Sequence, residues 1–351
     1  TIVADERVRL VVEGVLKLKT EELDWRSAFT GLVGLSIAMV FIVVFGAVGM
    51  AAGLAVVFVV GSDEETHKGP DLAQLLLVAV GAFVAYAVGE STTSTAGAAI
   101  VIGLITLGCT LLLLLGPRFA AVGAYSLMWA VLALTIGVTS ESAAEMAIAF
   151  AAGGSIALGV LLVSARIGHG GAVETTDDNL AAPDPGAAAQ HRDTIITFAV
   201  VRSLAAALAV AIGFEWFPDH VAWTVLTFVL VLRPPKEQTT VVAVGRTLGT
   251  IVGVLLGMTA AQLVGDNLAA QLIAFVVAGF LMLATSDVNY ALSTAFTTAM
   301  LLLSERILHE DVYQKGWERL GATVAGVMIA FFVIGLMAVI RNRQQPSSAT
   351  T

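Results

Sequence analysis

Apolar side chains run through this chain in stretches of about 15–25 residues with scarcely a charge among them, the length a helix needs to cross the hydrocarbon core of a bilayer. Pro and Asn do not chop the runs into strands, and strict alternation of polar and apolar residues is absent, which argues against a β-barrel. The charged fraction is 13% against a hydrophobic fraction of 58%, where a soluble domain carries about 25% charged residues. A soluble fold has nowhere to place that much apolar surface. The pattern predicts an all-α polytopic membrane protein of about twelve transmembrane helices, arranged as two parallel six-helix repeats.

The predicted spans are 27–45, 46–61, 71–89, 95–115, 119–139 and 143–165, then 194–213, 220–233, 240–264, 267–285, 288–304 and 316–340. Ahead of them, residues 4–19 place Val8, Val11, Val12, Val15 and Leu16 on one face and charges on the other, the pattern of a helix lying in the membrane interface. Between the sixth and seventh spans, 168–193 holds Gly170, Gly171, Pro183 and Pro185 among polar and small residues that cannot form a core. The domain reading is an amphipathic interfacial helix over 1–26, a first six-helix repeat over 27–166, a flexible cytoplasmic linker over 167–192, a second repeat over 193–341 and a cytoplasmic tail over 342–351. The sequence opens at Thr1 rather than Met, which leaves room for residues ahead of it, and its first span is too embedded in the pattern to be a cleaved signal peptide. Cys109, the single cysteine, sits inside an apolar run and reads as a packing residue rather than a redox group.

The net charge of -9 matters less than where the charges fall. With the N-terminus inside, the inner segments hold Arg7, Arg9, Lys17, Lys19, Arg26, Lys68, Arg118, Arg166, Arg192, Arg233, Lys236, Arg246, Arg341 and Arg343. The outer loops hold Arg306, Lys315 and Arg319, and Arg202 lies within the seventh span. Fourteen against three predicts both termini in the cytoplasm. Acids gather on the opposite face: Glu90, Glu141, Glu215, Asp219, Asp266, Glu305, Glu310 and Asp311.

Arg26-Ser27 opens the first half and Arg202-Ser203 the second, and each is followed by a short second span that ends in a charged inner loop. Ala124-Tyr125-Ser126-Leu127 and Asn289-Tyr290-Ala291-Leu292 open the fifth and eleventh spans alike. Six helices per copy is an even number, so the copies are expected to share orientation about an axis along the membrane normal. The matched order of this punctuation favours repetition over the general resemblance of apolar segments.

The second and eighth spans are short and occupy corresponding places; one is broken by Gly46, Gly49 and Gly53, the other bounded by Pro218 and Pro234-Pro235. Two readings stand side by side: interrupted helices whose freed backbone faces a substrate cavity, and tight hairpins that do not cross fully. Gly245, Gly249, Gly253 and Gly257 repeat every four residues, a bare stripe along the ninth span that lets a neighbouring backbone come close. Arg246 lies beside the stripe, one to two turns into the span, either as a ligand for an anion or as an anchor that snorkels to the inner interface. Arg319 opens the twelfth span within Gly316-Trp317-Glu318-Arg319, where a weak surface pair with Glu318 or Glu305 is the plain alternative.

Three blocks in the second half carry a family resemblance: Val221-Ala222-Trp223-Thr224, Leu232-Arg233-Pro234, and Gly245-Arg246-Thr247-Leu248-Gly249-Thr250 running on to Gly253. With Asn289-Tyr290 through Thr297-Thr298, and Trp317-Glu318-Arg319 through Gly321 and Thr323 to Gly326, they resemble the fusaric acid resistance and aromatic acid exporter family. The same residues are similar to the plant aluminium-activated malate transporters, anion channels that dimerise from six-helix subunits. The resemblance runs over 193–341 and is weaker over 27–166, where Val78 and Ala144 stand near the places of Arg246 and Arg319. It implies export or conduction of small organic anions, aromatic or hydroxylated carboxylates being the type, along a path that includes Arg246, Arg319, Trp223, Thr224 and Tyr290. Arginine presents a planar fork that matches a carboxylate, and a basic inner face would gather anions from the cytoplasm.

The leading expectation is an exporter in the bacterial inner membrane, driven by the proton gradient. Glu215, Asp219 and Asp287 are its candidate coupling acids; like Glu145 and His220 they lie near helix ends, where a solvated carboxylate is the plainer reading. A passive anion channel, which needs the arginines and no proton site, is the second reading, and a non-transporting membrane scaffold subunit the third. A membrane-embedded enzyme is set aside, because the chain carries no HExxH, GxSxG, Cys-His cluster or P-loop. No cofactor, metal or nucleic acid is implied. The expected partners are a small organic anion, the lipid bilayer, and a second copy of the chain or accessory envelope proteins.

Overall fold

The computed structural model describes residues 25–62, 70–135, 142–167, 185–216, 221–232, 236–286, 288–307 and 311–344. The interfacial helix expected at 4–19, the linker up to 184 and the tail beyond 344 lie outside these residues. Among the described residues there are helices and no strand: α1 (Trp25–Gly61), α2 (Leu72–Ser91), α3 (Thr95–Leu111, extended by a 3-10 turn over Leu112–Leu115), α4 (Pro117–Thr135), α5 (Ala143–Ile167) and α6 (Pro185–Trp216). There follow α7 (Val221–Val231), α8 (Lys236–Val264), α9 (Leu268–Ala284), α10 (Tyr290–Ile307) and α11 (Val312–Gln344).

Six of these helices contain segments long and apolar enough to cross a bilayer: Leu72–Ser91, Thr95–Leu115, Ala143–Val163, Arg192–Glu215, Thr239–Val264 and Val312–Met337. Val48–Val60, Arg118–Leu134 and Leu268–Ala284 are apolar but shorter. The chain is an all-helical, multi-pass membrane protein.

The described helices divide into two compact units, the first spanning Thr30–Phe214 and the second beginning at Glu215. In the first unit, α1 breaks at Gly46, whose φ of 60° and ψ of -133° suit only a residue without Cβ. The break falls where the first two spans were separated on sequence. Beyond it, Ala52 packs so closely on Gly153 of α5 that a Cβ there would strike the Ala52 carbonyl. Trp129 of α4 stacks on Phe150 of α5 with centroids 4.8 Å apart and donates its indole N–H to the Gly81 carbonyl of α2 at 2.8 Å. Cys109 is buried, with its carbonyl where a Cβ on Gly123 would lie.

α6 begins at Pro185, so residues 185–192 are helical where a flexible linker was expected. Proline is favoured in a first helical turn, and Ala187–Ala189 are strong helix formers. α6 packs on α3 of the first unit: Ser203 Oγ donates to the Gly103 carbonyl at 2.7 Å, and Arg202 Nη1 to Thr110 Oγ1 at 3.4 Å.

The second unit is built on α8. Gly249 and Gly253 bring it against α10 so tightly that an added Cβ would meet the Ala291 and Ala295 carbonyl oxygens respectively. Gly245 faces Tyr290 and Gly257 faces Leu302, so the contact runs the length of both helices with α8 and α10 parallel. The N-terminus of α10 is capped by Asn289, whose Oδ1 accepts from the Leu292 amide at 3.0 Å. α11 starts at Val312, four residues before the predicted span, because Asp311 Oδ1 accepts from the Tyr313 amide at 2.9 Å. α7 has 11 residues, about 17 Å of helix, roughly half the hydrocarbon thickness. It packs on α11 at Gly326, where a Cβ would lie 2.6 Å from the Thr224 carbonyl oxygen.

Candidate anion site in the second unit

The earlier start of α11 changes the standing of Arg319. It lies seven residues past Val312, the start of the candidate span, and is 6% exposed rather than at a surface. Arg246 lies seven residues past Thr239, the start of the α8 span, and is 9% exposed. α8 and α11 run antiparallel: Thr323 Oγ1 donates to Thr250 Oγ1 at 3.5 Å, while Gly316 sits against Val254 and Met258. The two arginines therefore stand on either side of the Thr250–Thr323 pair, one helical turn from it each, or about 6 Å along the axis.

Their surroundings differ. Arg319 Nη2 donates to Glu305 Oε1 of α10 at 3.1 Å, and its guanidinium carbon lies 3.8 Å from the Trp223 ring centroid of α7. An arginine stacked on indole and paired with a half-buried carboxylate has its charge answered from within the fold. Arg246 makes no ion pair among the described residues, and its buried Nε has no hydrogen-bond partner. The Thr224 hydroxyl, also fully buried, has none either. Thr227, Thr250 and Thr323 add buried hydroxyls on the three helices that meet there. A buried positive charge with no counter-ion among the described residues, in a unit that also buries an unpartnered threonine hydroxyl, is an arrangement that can take up an anion.

Residues 204–333 match the family described as "Fusaric acid resistance protein-like". A stretch of 115 residues is 31% identical to the inner membrane protein YccS of Escherichia coli (strain K12). It covers 33% of this chain and 16% of that relative, so the chain spans only a small part of the relative's length. Trp223, Thr224, Arg246, Tyr290, Glu305 and Arg319 all fall inside the family match. Over residues 204–333 the chain is similar to fusaric acid resistance-like proteins. No solved structure matches the chain.

Within the matched segment, four helices position the site residues: Trp223 and Thr224 come from α7, Arg246 from α8, Tyr290 and Glu305 from α10, and Arg319 from α11. Trp223 and Arg319 are in contact. Tyr290 lies at the Gly245 end of the glycine stripe, 3.3 Å from where a Cβ on Gly245 would be. Of the acids considered for proton coupling, Glu215 is exposed at the end of α6, and Asp219 and Asp287 lie outside the described residues. The outer-face reading hid Glu305, which was grouped with surface acids. Its signal was present in spacing: Glu305 follows Leu302, which faces Gly257, by less than one turn, on the helix that the glycine stripe holds closest. Thr250 and Thr323 were legible in the same way, each four residues from an arginine on one helix face.

Proposed function

We propose that this protein moves small organic anions across the inner membrane, in the outward direction, by way of Arg246. The single observation that carries the reading is the buried Arg246 guanidinium, whose Nε has no partner and which no described carboxylate pairs. A carboxylate entering from water would supply the missing charge, and the fork of the guanidinium fits it. Thr224 offers a hydroxyl to the same guest, and the Glu305–Arg319–Trp223 cluster closes the opposite end. The reading includes about twelve spans in two similar halves, with both termini cytoplasmic, supported by the basic inner segments and the matched punctuation. An inner-membrane place is supported by the name of the Escherichia coli relative.

The driving force in this reading is the proton gradient. A passive anion channel is the second reading, favoured by the exposed position of Glu215, which removes the described coupling acid from any closed path. Purified protein in liposomes, offered aromatic and dicarboxylic acids with and without a pH gradient, tests both. Flux that rises with the gradient supports the exporter. Flux that follows voltage alone supports the channel, and no flux above empty liposomes contradicts both.

A further inference from the structure

Two buried arginines and one carboxylate share the space between α7, α8, α10 and α11, and their division of labour has a consequence for substrate charge. Arg319 is held by Glu305 at 3.1 Å and by the Trp223 ring at 3.8 Å, so one of the two positive charges is already answered. Arg246 is left with the other. Arg306 pairs with Asp266 at 2.6 Å, and Glu318 accepts from Gln314 Nε2 at 2.7 Å. Glu318 also stands about 100° round α11 from Arg319, as adjacent helical residues must.

We infer that Glu305 is an internal counter-anion that sets the charge number of the substrate, making the site accept a monocarboxylate in preference to a dicarboxylate. The inference rests on the transport reading above and names the residue that would give it selectivity. A monocarboxylate at Arg246 leaves both buried arginines, Arg246 and Arg319, answered. A dicarboxylate brings a second negative charge, for which the other buried arginine among the described residues of this unit is Arg319, and Glu305 already occupies that partner. Burying the extra charge without a partner is costly, so the dianion is excluded unless it displaces Glu305. Neutralising Glu305 frees Arg319 and leaves two arginines on opposite sides of the Thr250–Thr323 pair. An acid with carboxylates at opposite ends of a ring suits that arrangement.

The test uses the full chain in liposomes, with benzoate and benzene-1,4-dicarboxylate as probes at one pH, for wild type, Glu305→Gln and Glu305→Asp. Wild type is expected to carry benzoate at least tenfold faster than the dicarboxylate. Glu305→Gln should lower that ratio at least tenfold by gaining the dicarboxylate, and Glu305→Asp, which keeps the charge, should hold the wild-type preference. An unchanged ratio in folded Glu305→Gln overturns the inference, as does a wild type that prefers the dicarboxylate, whether or not the variant folds. If wild type carries neither acid, the transport reading falls, and calorimetric titration of the two acids decides the role of Glu305. Tighter benzoate binding supports it; tighter dicarboxylate binding, or none of either, overturns it.

Discussion

Replacing Gly253 by Ala tests how closely α8 and α10 are packed. The new Cβ would lie 2.6 Å from Thr298 Cβ and 3.0 Å from Ala295 Cα, and it would also strike the Ala295 carbonyl oxygen. Carbon pairs rest at about 3.5–4.0 Å, so the helices must part by about 1 Å. Part of the obstacle is backbone, which cannot rotate away. Overpacking of this kind costs about 1–3 kcal/mol, against about 1 kcal/mol gained from replacing Gly by Ala within a helix. The net expectation is a loss of up to about 2 kcal/mol, or several degrees of melting temperature for a unit of this size. Gly321→Ala in α11 is the control, because nothing lies within 4 Å of the methyl it would add and the helical gain stands alone. Thermal unfolding of both variants in the same detergent separates the two effects. A Gly253→Ala protein that gains as much melting temperature as the Gly321→Ala control refutes the close approach.

Trp223→Leu removes the ring beneath the Arg319 guanidinium; a desolvated cation–π contact contributes about 2 kcal/mol. Its thermal midpoint in detergent should fall, and an unchanged midpoint contradicts the stacked geometry. Gly46→Ala meets no neighbour within 4 Å, so its cost is purely conformational; a side chain held at φ 60°, ψ -133° loses about 1–3 kcal/mol. Equal melting of Gly46→Ala and wild type would contradict the break in α1.

Long apolar runs made the helices legible, because a bilayer demands about 20 apolar residues per crossing and leaves few alternatives. The break at Gly46 was legible for a related reason: glycine permits a conformation that its neighbours resist. Helix starts were harder. Asp311 and Pro185 set the beginnings of α11 and α6, and both were read as loop residues because hydropathy does not register a cap. The error at Asp311 mattered most, since it left Arg319 near a surface when it is buried two turns into its helix. The Glu305–Arg319 pair joins residues 14 apart on different helices, a contact that no local periodicity reports. That no described carboxylate answers Arg246, while Glu305 answers Arg319, is a property of three-dimensional packing alone.

The most direct measurement of the central claim is anion flux per folded molecule for Arg246→Gln and Arg246→Lys in liposomes. Arg246→Gln keeps a similar length and some hydrogen bonding but deletes the charge, so folding should survive and normalised flux should fall at least tenfold. Arg246→Lys should fall between that variant and wild type, because a point charge remains while the planar fork is lost. A snorkelling anchor behaves differently: Lys would replace it fully, and Gln would reduce insertion while each folded molecule carried as much as before. Wild-type normalised flux in Arg246→Gln would contradict the claim that this arginine binds the transported anion.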